Sequence, residues 1–187
     1  MRNFSRRRPA NAVIAAICLA GGLALCAPAL AQDAPALTLE QVEAAYLGGD
    51  HAAARAGLLP LAEAGELVAQ YRLGYMMATG EGGPPDPAGA KLWLERALEG
   101  GRTDAALLLG RIYLSDAPEE TDFARAAALF EQATADGKAE GAWLLAVLLR
   151  RGLGVTRDAE RAFALLKEAA RGGLPQAQYA LSQMYAQ

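Results

Sequence analysis

From Leu39 onward, apolar side chains recur at intervals of three and four rather than two, as in Leu73, Met76 and Met77, then Ala90, Trp93, Leu94 and Ala97. That spacing gathers them on one face of a helix. Val and Ile are scarce in this stretch, limited to Val42, Val68, Ile112, Val147 and Val155, which argues independently against strands. The pattern predicts an all-α chain with no sheet.

The helices also repeat, with a period of 36 residues. Ala69 with Leu73-Gly74 returns as Ala105 with Leu109-Gly110, as Gly141 with Leu145-Ala146, and as Ala177 with Leu181-Ser182. A second set follows in the same register: Asp86, Asp122 and Asp158, each with an alanine four residues on (Ala90, Ala126, Ala162). Trp93, Leu129 and Leu165 align, as do Leu94, Phe130 and Leu166, Ala97, Ala133 and Ala169, and finally Gly101, Gly137 and Gly173. A fixed period in this range announces a solenoid in which each unit buries its apolar face against the next. Each unit reads as two amphipathic helices. The small residues at 74, 110, 146 and 182 mark where two helix backbones approach closely, and the glycines at 101, 137 and 173 mark helix ends.

The turn inside a unit separates this array from a plain tetratricopeptide, since Gly152-Leu153-Gly154-Val155-Thr156-Arg157-Asp158 is longer and punctuated by glycine. With Leu73-Gly74-Tyr75, Gly80, Gly82, Asp86, Ala90-Lys91, Trp93 and Gly101, the chain resembles the Sel-one-like repeat family. The resemblance implies a right-handed α-solenoid of helix-turn-helix repeats of the tetratricopeptide-like class. Units are expected at 69–104, 105–140 and 141–176, after a tetratricopeptide-like pair over 37–68 and before a capping helix over 177–187. In the middle unit Asp116-Ala117-Pro118-Glu119-Glu120-Thr121-Asp122 replaces the turn glycines with acids and a proline.

Residues 1–31 have the three parts of a secretory signal: Arg2, Arg6, Arg7 and Arg8, an apolar run from Ala12 to Leu25, and Ala29-Leu30-Ala31 before Gln32. The run is shorter than the roughly 20 residues of a membrane span. Leu25 ahead of Cys26 is a poor lipobox, and Pro9-Ala10 after the arginines a poor twin-arginine signal. The expectation is general secretion with cleavage after Ala31, delivering an exported periplasmic or secreted chain with no stable membrane anchor. Cleavage removes both cysteines, Cys18 and Cys26, and with them disulfides and thiolate chemistry. It also leaves 14 basic against 21 acidic residues, a formal charge of −7. A nucleic acid partner is therefore not expected.

The rest of the inventory is thin for catalysis: one histidine, His51, and after the signal two serines, Ser115 and Ser182. His51 beside Asp50 reads as a solvated residue at a helix start, and a lone histidine makes a poor metal site. No H-E-x-x-H, G-x-S-x-G or phosphate-cradling loop occurs. Gly80-Glu81-Gly82-Gly83-Pro84-Pro85 reads as a repeat turn, since its prolines lack amide protons and its glutamate repels phosphate. The expected chain is not an enzyme and takes no cofactor or metal. Relatives in the resembled family serve as adaptors in envelope regulation, exopolysaccharide export and host-cell contact, which implies a protein or peptide partner. Cysteine-rich relatives are associated with β-lactam binding and hydrolysis, which keeps a cell-wall enzyme as the alternative, beside a purely structural envelope scaffold. This chain lacks their paired cysteines.

First helices of such units generally line the concave side, and positions that vary between units there are the candidates for binding. They are Arg72, Leu108 and Leu144 in one column, Tyr75, Arg111 and Val147 in the next, and Thr79, Ser115 and Arg151 one turn on. Tyr71, Leu107, Trp143 and Tyr179 form a further column, read as core between units. Oligomeric state is left open.

Overall fold

The computed structural model describes residues 37–115 and 119–185, so the segment expected to be a secretory signal and Asp116–Pro118 of the acidic turn lie outside the described residues. Nine α-helices and no strands make up the described residues. In chain order they are α1 Leu39–Leu47, α2 His51–Glu63, α3 Leu67–Thr79, α4 Pro87–Glu99, α5 Ala105–Ser115, α6 Glu120–Ala135, α7 Ala139–Arg151, α8 Ala159–Arg171 and α9 Pro175–Tyr185. Each packs chiefly on the helix before it and the helix after it, and α3 also reaches α5. That nearest-neighbour pattern is what a helical repeat solenoid requires.

The core is a strip rather than a sphere, because the same columns are buried unit after unit. Ala54, Ala90, Ala126 and Ala162 have almost no exposure, and neither do Leu58, Leu94 and Phe130, with Leu166 close behind. Alanine in one column lets helices close up; leucine or phenylalanine in the next fills the space between them. Each of these large side chains stabilises the fold by roughly 1.5–3 kcal/mol through burial. Gly74 and Gly110 obey the same geometry: a Cβ at Gly74 would stand 2.7 Å from Leu94 Cγ, and one at Gly110 2.6 Å from Phe130 Cε1.

Helix ends repeat as faithfully as helix faces. After each second helix a left-handed glycine (Gly65, Gly101, Gly137, Gly173) turns the chain, and the next amide returns to a carbonyl five residues earlier. Those bonds, from Glu66, Arg102, Lys138 and Leu174, measure 3.0, 2.9, 2.9 and 3.1 Å. The glycine-rich turns do more than reverse direction. A Cβ on Gly82 would collide with the backbone of His51, and one on Gly154 with the backbone of Phe123 and Ala124. The second glycine of the turn thus lies flat on the first turn of the preceding unit's second helix, a place for a residue with no side chain. Asp86 and Asp158 then cap α4 and α8, accepting from Gly89 N and Arg161 N, each at 2.9 Å.

Candidate functional site

Two grooves open beside the first helices, one near each end of the array. In the N-terminal one, α1, α2 and α3 enclose about 320 Å³ above a buried floor of Ala54, Leu58 and Met76. Its walls carry charge that is already matched: the Arg72 guanidinium donates to Glu43 at 3.0 Å. The Tyr46 hydroxyl donates to Glu81 at 2.8 Å, and its ring stands edge-on to His51 with centroids 4.8 Å apart. The bond to Glu81 raises the Tyr46 hydroxyl above its ordinary pKa, because ionisation would place a second negative charge beside the carboxylate. Burial raises Tyr71 likewise, with Asp104 adding to the effect and Arg102, whose guanidinium lies 4.7 Å over the ring, opposing it.

The C-terminal groove, between α7, α8 and α9, holds about 640 Å³. It is the same construction three units later. Leu166 takes the place of Leu58, and Tyr179, Ala180, Gln183 and Met184 take those of Tyr71, Arg72, Tyr75 and Met76, every pair 108 residues apart. On the facing helix, Ala146, Val147, Arg150 and Arg151 repeat the spacing of Val42, Glu43, Tyr46 and Leu47. Trp143 and Leu144 extend this wall, both half-buried.

The nine candidate residues are thereby divided. Arg72 and Tyr75 line the N-terminal groove, and Leu144, Val147 and Arg151 the C-terminal one. Thr79, Leu108, Arg111 and Ser115 line neither. Two arginines expected to face a ligand are engaged within the array: Arg72 with Glu43, and Arg111 with Glu140 at 3.4 Å. Thr79 and Ser115 turn their hydroxyls to their own helices, donating to Tyr75 O at 3.1 Å and Ile112 O at 2.8 Å. The aromatic column is only partly core, since Tyr71, Leu107 and Trp143 are half-buried and Tyr179 is 68% exposed. Tyr179 stands on α9, the last helix among the described residues, and no later described helix packs over it. Arg150, outside the chosen columns, is the addition sequence reasoning missed. Its column reads Ala78, Leu114, Arg150, a cation where the other units have apolar residues.

His51 is not the freely solvated residue expected at a helix start. It is half-buried against Tyr46, and its Nδ1 is buried without a hydrogen-bond partner. The second serine, Ser182, donates to Tyr179 O at 2.8 Å. Among the described residues no three His, Cys, Asp or Glu side chains gather into a metal-binding group, and no helix is long and apolar enough to cross a membrane.

Comparison with known proteins locates the architecture. The family model described as Sel1 repeat matches residues 67–101, 103–138, 139–174 and 175–187. Among solved structures, a Sel1 repeat protein from Oxalobacter formigenes is 27% identical with a TM-score of 0.60, over 72% of this chain and 53% of that one. This chain thus spans about half the length of that protein. A protective antigen present in uropathogenic Escherichia coli strains, displaying an SLR fold, is 24% identical over 79% of this chain and 40% of the other, with a TM-score of 0.46. No curated protein matches the chain.

Proposed function

The chain belongs to the Sel1 repeat family, and from that premise we propose that it is an exported, non-catalytic adaptor that holds a peptide or a partner protein against the first helices of its units. Repeats of this family generally mediate protein–protein interaction. The observation that carries the reading is the C-terminal groove, where half-buried Trp143, Leu144 and Val147 and exposed Tyr179 form an apolar wall that no helix of the described chain covers. An open, mostly apolar groove with a few convergent polar groups is the default candidate for a binding site. Export rests on the arginine, apolar and small-residue segments of residues 1–31, and favours a role in the cell envelope.

The test is affinity capture from an envelope extract with the wild-type chain and with a Val147→Glu, Tyr179→Ala variant as control. The expected result is a protein retained by the first and lost by the second while circular dichroism stays unchanged. Turnover of a labelled β-lactam or peptidoglycan fragment by the purified chain would overturn the reading.

A further inference from the structure

The two grooves share a scaffold and differ in how their charges are placed. In the N-terminal groove the arginine is on the later helix and the glutamate on the earlier one, and they meet at 3.0 Å. In the C-terminal groove the glutamate's position is Val147 and the arginine's is Ala180. Instead, α7 contributes Arg150 and Arg151, both exposed, at the positions of Tyr46 and Leu47. No Asp or Glu lines this groove, and among the described residues neither arginine enters an ion pair. Both sit in the last turn of α7, where a cation suits the helix dipole, yet the matching turns of α3 and α5 carry no basic residue. Gln176 and Gln183 complete the rim with side-chain amides that make no hydrogen bond within the described chain.

We infer that the groove between α7, α8 and α9 takes a peptide segment presenting an aliphatic or aromatic side chain next to one or more carboxylates. The inference deepens the adaptor reading and rests on it. The apolar side chain lies on Trp143, Leu144, Val147 and Met184; the carboxylates meet the two guanidiniums; the glutamine amides serve the peptide backbone. A guanidinium pairs with a carboxylate through parallel, charge-assisted hydrogen bonds, so flanking acids add both affinity and register. An anionic membrane surface offers the same charge, but a formal charge of −7 after signal removal opposes docking of the chain as a whole on such a surface. The two guanidiniums border a concave groove of about 640 Å³, a shape suited to an inserted peptide side chain.

The experiment uses fluorescence anisotropy with three sets of labelled decapeptides, each with Leu or Phe at the centre and flanked by Glu, by Gln or by Lys. The Glu-flanked set should bind the chain about tenfold more tightly than the Gln-flanked set, the scale of a charge-assisted hydrogen bond, and more tightly still than the Lys-flanked set. The double variant Arg150→Gln, Arg151→Gln should erase the difference between Glu and Gln flanks, whereas Arg72→Gln in the other groove should leave it. Equal binding of the three sets, no binding of the Glu set, or indifference to the double variant overturns the inference. So does binding of phosphatidylglycerol vesicles through Arg150 and Arg151 without binding of the Glu peptides. If the Glu set fails while a partner protein is still captured from extract, the groove chemistry is wrong and the adaptor reading stands. If the Glu set binds and no protein is captured, the adaptor reading falls alone.

Discussion

The N-terminal groove balances its own charge and the C-terminal one does not, although the same repeat columns build both. At one end Arg72 closes on Glu43 and Tyr46 closes on Glu81, so the charged side chains of the walls are paired within the fold. At the other end Arg150 and Arg151 stand beside Trp143, Val147 and Gln183 with no carboxylate lining the groove. The contrast separates two things that a repeat does. Buried columns are set by packing, which tolerates little change, whereas rim positions face solvent and are free to carry whatever charge a partner needs.

The largest effects should show that the scaffold is common to both grooves. Leu58→Ala and Leu166→Ala each remove a buried side chain beneath a groove, and each should lower stability by about 2–5 kcal/mol in denaturant unfolding. A large loss at one site and none at the other would break the equivalence. Trp143→Ala should cost less than the roughly 3–5 kcal/mol of a fully buried tryptophan, because half-buried Trp143 forfeits only part of that contact. Loss of partner capture should exceed what this destabilisation explains.

Smaller effects test the charges themselves. A double-mutant cycle with Glu43→Gln and Arg72→Gln should give a coupling of about 0.2–1 kcal/mol, reduced by salt, since both side chains are substantially exposed. A coupling of several kcal/mol would show the pair to be structural rather than merely neutralising. The smallest effect concerns alkaline pH. The hydroxyl of Tyr46 has a raised pKa in the folded chain, so its contribution is full below the ordinary phenol value of about 10 and is lost as pH rises through the raised value. Tyr46→Phe should therefore make the alkaline fall in stability shallower without removing it, because Tyr71 and Tyr113 are raised too. An unchanged alkaline limb would show the Tyr46–Glu81 bond to be absent in solution.

The helices were legible because their columns recur. α1 and α2 lie within the stretch 37–68 read as one helix pair, while α3 starts two residues before the unit boundary drawn at 69. Conformational demands on single residues were legible too: Gly74 and Gly110 lie against Leu94 and Phe130, and the closing glycines are left-handed. The candidate site was only half legible. Column variation singled out Leu144, Val147 and Arg151, which line the C-terminal groove, but it treated Arg72 and Arg111 as equally available and passed over Arg150. Pairing with Glu43 and Glu140 joins residues 29 positions apart on different helices, and no column of a self-alignment reports on such a contact.

What the sequence determined by itself is the unit: periodic burial, alanine where helices touch, glycine where the chain turns back, and aspartate where the next helix starts. These are local demands, imposed anew every 36 residues, so a single chain aligned with itself exposes them. Only the tertiary structure decided which polar residues are already matched and which are not. That depends on distances between side chains of neighbouring units, where a carboxylate 3.0 Å from a guanidinium removes it from the binding surface and a valine in the same place leaves its groove open.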